Sequence, residues 1–121
     1  MMYVQGFVIP VKDENKDAYR KVAEDFWPIV KDYGALSQVE CWEEDVKDGQ
    51  HTDFRRAVAA EAGEKVVFSW VLWPDRATCD ASHEKLMQDE RMKAFGDEMP
   101  FDGKRMIFGG FSPIFWGDAK Q

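Results

Sequence analysis

The sequence predicts an α+β fold in the order strand, helix, strand, strand, helix, strand, and three observations carry that prediction. Four segments are rich in Val, Ile, Phe, Tyr and Trp and have no helical period: "MYVQGFVIPV" (2–11), "ALSQVECWEED" (35–45), "KVVFSWVLWP" (65–74) and a tract within "MPFDGKRMIFGGFSPIFW" (99–116). Two intervening segments carry apolar residues at three- and four-residue steps, the spacing of one helix face. Gly34, Gly63, Pro74 and Gly96 then fall at the joins, where chain-breaking residues belong.

The first strand should end near Pro10, which cannot donate a ladder hydrogen bond. In the helix that follows, Tyr19, Val22, Ala23, Phe26, Val30 and Tyr33 make the apolar face. Asp13 or Asn15 can cap it, Asp17 suits its first turn, and Gly34 can stop it in a left-handed conformation. Pro28 removes one backbone hydrogen bond at a cost of about 3 kcal/mol, so a kink or break is predicted at Trp27–Pro28. The second strand sets Val39 and Cys41 on one side and Gln38, Glu40 and Trp42 on the other. A polar stretch follows, in which Thr52 or Asp53 can cap a short helix through Ala60. The strand at 65–74 is bounded by Gly63 and Pro74. Asp75 is a good N-cap for the second long helix, whose apolar face is thin (Cys79, Leu86, Met87, Met92, Phe95) and whose period slips near Gln88–Asp89, predicting a bend. "GDEMPFDG" has turn chemistry. The last strand is apolar on both sides and should be packed on both, with Gly109 and Gly110 admitting a close neighbour: a helix or an aromatic ring on one side, a partner or a pocket on the other.

This order is the ferredoxin-like βαββαβ plan, a four-stranded antiparallel sheet with helices on one face. The strands are nevertheless apolar on both faces. Phe68 and Trp70 oppose Val67, Ser69 and Val71, and Met106 and Phe108 oppose Ile107 and Phe111. A bare aromatic sheet face is too large a patch for a soluble monomer. The prediction is a homodimer through that sheet face, a dimeric α/β barrel.

At 121 residues the chain is one domain, residues 1–121. The formal net charge of −7 argues against nucleic acid and anionic membrane as partners, because the basic residues are scattered and the closest clusters are the pairs Arg55–Arg56 and Lys104–Arg105. No apolar run approaches the ~20 residues needed to span a bilayer. Two cysteines with no framework, and an N-terminus without a basic leader, point to a reduced cytoplasmic protein.

The residues that could carry chemistry are few. Gln5 and Glu40, with Trp42, Phe68 and Trp70, could line a cavity on the face of the sheet away from the helices. A carboxylate in an apolar pocket can act as a general base. The competing reading puts Glu40 at a strand edge in solvent or in an ion pair, and the tryptophans in an interface. Cys79 and His83 are four residues apart on one helix, but a metal site needs more ligands, so no metal and no cofactor is expected. His83 is a second candidate base, and Arg55 or Arg105 could hold a ligand's anionic group. In "TDFRRA" the charges more simply cap a helix or pair across a dimer.

"YVQGFVIPV", "KDAYRKVA", "GALSQVECWEEDV", "DFRRAVAAE", "EKVVFSWV", "ERMK" and "MPFDGKRMIFGGF" together resemble the bacterial YbaA family, a domain of unknown function, from about residue 2 to about residue 114. The resemblance implies a ferredoxin-like subunit pairing into a dimeric α/β barrel. That superfamily also holds cofactor-free monooxygenases, muconolactone-isomerase-like enzymes and haem-degrading enzymes. The family supplies no catalytic residues to carry over. One departure is "QDERMK", which lacks a proline that many relatives place before the arginine and so weakens the predicted bend. Two functional readings follow: a small-molecule-binding or structural dimer, or a cofactor-free enzyme acting on a small apolar or aromatic metabolite.

Overall fold

A computed structural model describes residues 1–119. Its main elements are β1 (Tyr3–Lys12), α1 (Lys16–Asp32), β2 (Ser37–Trp42), α2 (Phe54–Ala57), β3 (Glu64–Trp73), α3 (Arg76–Gln88) and β4 (Ile107–Phe111), with 3₁₀ turns at Asp13–Asn15 and Glu90–Phe95. The sheet order is β2-β3-β1-β4, and every neighbouring pair is antiparallel. This is the ferredoxin-like arrangement the element order predicts.

The register assigns each residue to a face. Gln5 pairs with Val71, Phe7 with Ser69 and Ile9 with Val67 on the side that α1 and α3 cover. Phe68, Trp70 and Leu72 point the other way, beside Cys41, Val39 and Ser37 of β2. The helix side is dry: Val11, Val67 and Trp73 are each 1% exposed or less. Helices α1 and α3 lie on one face as predicted, but α2 does not join them. Its Phe54 ring sits 5.9 Å from that of Phe68 and covers part of the opposite face.

Local chemistry explains most boundaries. Asp53 and Asp75 cap their helices by accepting from the backbone N–H of Arg56 and Thr78 at 2.8 and 2.7 Å. Gly34, at φ +106°, ends α1 in the left-handed region. The short helix stops at Ala57, well before Gly63. The predicted bend in the second long helix is a break: α3 ends at Gln88 and Asp89 is extended. The Asp89 side chain caps the 3₁₀ turn through Arg91 N–H and also receives the Tyr33 hydroxyl and the Arg91 guanidinium. The absent proline is thus replaced by a side-chain cap.

Helix α1 is continuous through Pro28, so the chain does not break there. The next two residues, Ile29 and Val30, are 2% and 1% exposed, so their burial offsets the lost hydrogen bond. Within a single copy of the chain, strand β4 is not packed on both sides. It is a five-residue edge strand with Phe108 and Phe111 at 71% and 62% exposure.

The glycine pair admits two rings. Tyr3 crosses Gly110 on the helix side, so closely that a Cβ there would fall within the phenol. On the other side Phe111 lies over Gly6 and Gly109, and a Cβ on Gly109 would meet it at an ordinary 3.6 Å. Within the chain, that second space is taken by the Phe111 ring. Gly110→Ala should therefore cost about 1–3 kcal/mol through overpacking, and Gly109→Ala no more than about 0.5 kcal/mol. Urea melts of both variants check this, and Tyr3→Ala should remove most of the penalty of Gly110→Ala.

Candidate functional site

The helix-side core is in two parts. One cluster holds Val30, Ala35, Val71, Trp73 and Cys79; the other holds Ile9, Val11, Tyr19 and Val67; Phe7 packs against both. Where they meet lies a cavity of about 260 Å³, walled by β1, β2 and β3, by α1 and α3, and by Met92, Phe95, Met99, Phe101 and Met106 from the segment between α3 and β4. The gap arises because the sheet residues beneath it are small or polar. Ser69 takes the middle of β3, with Gln5 on β1 and Gln38 and Glu40 on β2, and small Ala23 faces them from α1.

Two hydrogen-bonded groups aim at this space. In the first, the Trp73 indole Nε1 donates to Gln5 Oε1 at 2.8 Å. An indole N–H only donates, so Gln5 must turn its NH₂ the other way, where Nε2 lies 3.4 Å from His83 Nε2. His83 Nε2 accepts from Gln5 in the tautomer that carries the ring proton on Nδ1. In the second, the Tyr19 hydroxyl donates to Glu40 Oε1 at 2.6 Å, and Gln38 Nε2 donates to Glu40 Oε2 at 3.1 Å. Burial and the Glu40 charge push the Tyr19 hydroxyl far above its usual range, so it remains a donor at any working pH. Gln38 Nε2 also donates to the Ala23 carbonyl at 3.2 Å, while Gln38 Oε1 is buried without a hydrogen-bond partner.

Of the residues singled out in the sequence, Gln5, Glu40 and His83 meet at this cavity. The expected location on the sheet face away from the helices is wrong for Gln5, Glu40 and Trp42. Glu40 pairs with Ser69, whereas Trp70 pairs with Val39 and Phe68 with Cys41. Phe68 and Trp70 are therefore on the opposite side, stacked edge to face at 5.6 Å. Trp42 lies outside the cavity, with Lys16 Nζ 5.4 Å from its ring centre. Tyr19, Gln38, Ser69 and Trp73 were not singled out. Polar Gln5, Gln38 and Ser69 at core-facing positions of otherwise apolar strands were the available signal. Cys79 is no nucleophile candidate, since burial pushes its thiol up to about 11.

Arg55 and Arg105 are not at the cavity. Arg105 holds both oxygens of Glu64 at 2.8 and 2.7 Å, and Asp102 at 2.7 Å. Arg55 donates to Glu43 and to the Glu64 carbonyl, each at 2.9 Å. The two arginines tie the excursion between β2 and β3, and the turn before β4, to the start of β3. The Arg105 guanidinium holds the Glu64 and Asp102 carboxyls below their usual values of 4.5 and 3.8. A carboxyl with a lowered folded pKa stabilises above its unfolded pKa, and that contribution is lost as pH falls. Arg105→Met should therefore be most destabilising at neutral pH, with the gap to wild type closing as pH falls below about 4. Urea melts between neutral pH and pH 3 check this, and a constant gap would contradict it.

Comparison with known proteins follows the fold. Residues 2–103 match the family described as "Protein of unknown function (DUF1428)". The uncharacterized protein YbaA of Escherichia coli strain K12 is 56% identical over 114 residues, which cover 94% of this chain and 97% of that protein, and its Shigella flexneri counterpart gives the same figures. Among solved structures, Rv0793 from Mycobacterium tuberculosis superposes with a TM-score of 0.53 at 11% identity, over 98% of this chain and 100% of that one. A dimeric ferredoxin-like protein from an uncultured marine organism gives 0.55 at 12% identity, over 92% of each chain. These two establish a shared fold. The sequence match goes further: this chain belongs to the YbaA family of proteins of unknown function.

Proposed function

We propose that the protein is a small-molecule-binding subunit that works as a homodimer, with its ligand between the sheet and the helices and a second copy over the opposite sheet face. The cavity carries this reading. It is a pocket of about 260 Å³ between the sheet and the helices, partly open to solvent and so reachable by a ligand. A mostly apolar lining with a few convergent polar groups is the usual make-up of a ligand site.

The dimer rests on the other face, where Phe68, Ile107 and Phe111 are 43%, 45% and 62% exposed. Such a patch favours association through copies of itself, and the marine structural neighbour is described as dimeric. Both cysteines are free, and no helix among the described residues is long and apolar enough to cross a membrane. These fit a cytoplasmic protein.

A second reading, a cofactor-free enzyme, is favoured by one observation. Glu40 and His83 line the same cavity, one as a carboxylate held by neutral donors and the other as an imidazole with its Nε2 lone pair directed inward toward Gln5. Either could take a proton from a bound metabolite.

A thermal-stability screen against apolar and aromatic metabolites tests the binding reading. A ligand present at a hundred times its Kd should stabilise the folded state by about 2.7 kcal/mol. The shift should vanish in Ser69→Leu, which fills the cavity, and in Ala23→Leu, which fills it from the helix side. No shift with any compound, or shifts that survive both fillings, would contradict the proposal.

A further inference from the structure

We infer that the ligand of this cavity presents a hydrogen-bond donor, a hydroxyl or an amine, on an apolar body of about ring size, and that ligands headed by a carboxylate are rejected. The inference rests on the small-molecule reading above. Its basis is an imbalance between acceptors and donors along β2.

The orientation of Gln38 is forced. Its Nε2 lies 3.2 Å from the Ala23 carbonyl and 3.1 Å from Glu40 Oε2, and both partners accept only. Turning the amide over would set oxygen against oxygen twice. Oε1 is therefore left as a buried acceptor without a donor, a condition that native proteins rarely keep. Beside it stands the Glu40 carboxylate. Each of its oxygens takes one neutral donor, from Tyr19 or Gln38, and keeps lone pairs for another.

Positive charge near Glu40 lies outside the cavity, in a neighbouring groove where Lys16 and Arg20 stand beside Glu40 and Tyr19. Among the described residues that line the cavity there is no Lys or Arg. Arg55 and Arg105 are engaged by Glu43, Glu64 and Asp102. His83, at the other end, uses Nε2 as an acceptor toward Gln5. A carboxylate entering here would face Glu40 in an apolar surround where like charges repel strongly. A hydroxyl or an ammonium would meet the spare lone pairs of the Glu40 carboxylate. The remaining wall is apolar, with Phe7, Phe26 and Leu86 as flat surfaces and Met92, Met99 and Met106 as side chains that adjust to a ring.

Isothermal titration calorimetry at neutral pH with four probes tests this: naphthalene, naphthol, naphthylmethylamine and naphthoate, substituted at the same ring position. Naphthol and naphthylmethylamine should bind about tenfold or more tighter than naphthalene, and naphthoate should bind more weakly than naphthalene. Glu40→Gln, which keeps the side-chain shape, should admit naphthoate and weaken naphthylmethylamine. Tyr19→Phe removes a donor from Glu40 and should favour naphthylmethylamine further, so the two variants move the ranking in opposite directions. Naphthoate binding as tightly as naphthol, or a ranking unchanged in both variants, would overturn the inference and leave the binding site standing. If none of the four binds, the small-molecule reading falls with it.

Discussion

A central strand that is apolar on both sides sets the terms for the rest of this molecule. β3 lies between β1 and β2 and alternates Val67, Ser69, Val71 and Trp73 with Phe68, Trp70 and Leu72. A ladder with both sides apolar must be covered twice to leave water. The chain has two helices of useful length, and both go to one side. What the helices do with that side, and what remains on the other, account for the cavity and for the exposed aromatic face.

On the covered side the packing is incomplete in a specific way. Large residues gather at the two ends of the helix–sheet layer, around Trp73 and around Tyr19, and the middle is left to Ser69, Gln5, Gln38 and Ala23. Hydrogen bonds stiffen the polar groups there. Trp73 orients Gln5, and Tyr19 and Gln38 hold Glu40. Groups held by their neighbours before a ligand arrives lose less freedom on binding, which is the advantage of preorganisation. The outer wall is different in kind. It is supplied by the 3₁₀ turn and the loop before β4, joined to α1 by the Tyr33–Asp89 hydrogen bond and the Arg91–Asp32 ion pair.

Much of the fold was legible, because its signals are local. Asp53 and Asp75 announce helix starts, Gly34 a helix end, and the run at 65–74 a strand, each from a few adjacent residues. Pro28 does not end the helix, because its penalty is local whereas the burial of Ile29 and Val30 that offsets it is tertiary. The alternation within β2 and within β3 was also read correctly. The error lay in matching them: which side of β2 accompanies which side of β3 depends on register, and one step transfers every side chain to the other face. That single step separates Glu40 from Trp70. The contacts that make the site, Tyr19 with Glu40 and Gln5 with Trp73 and His83, join positions 21, 68 and 78 residues apart. No spacing rule reaches that far. Arg55 and Arg105 were singled out for charge alone, and charge does not reveal that Glu43, Glu64 and Asp102 are waiting for them.

The other side of the sheet offers the most direct test, because it carries its own reporter. Cys41 is exposed on that face, opposite Phe68, while Cys79 is buried in the helix layer and serves as a silent control. The decisive measurement is the rate at which a bulky maleimide labels Cys41 at micromolar protein, in wild type and in Trp70→Glu, which places a charge in the middle of the face. If a second copy covers the sheet, Cys41 will label slowly in wild type and rapidly in the variant, with Cys79 unreactive in both. Equal, rapid labelling of Cys41 in the two proteins would mean that the apolar face stands open to water, and the account built on covering both sides of β3 would be wrong.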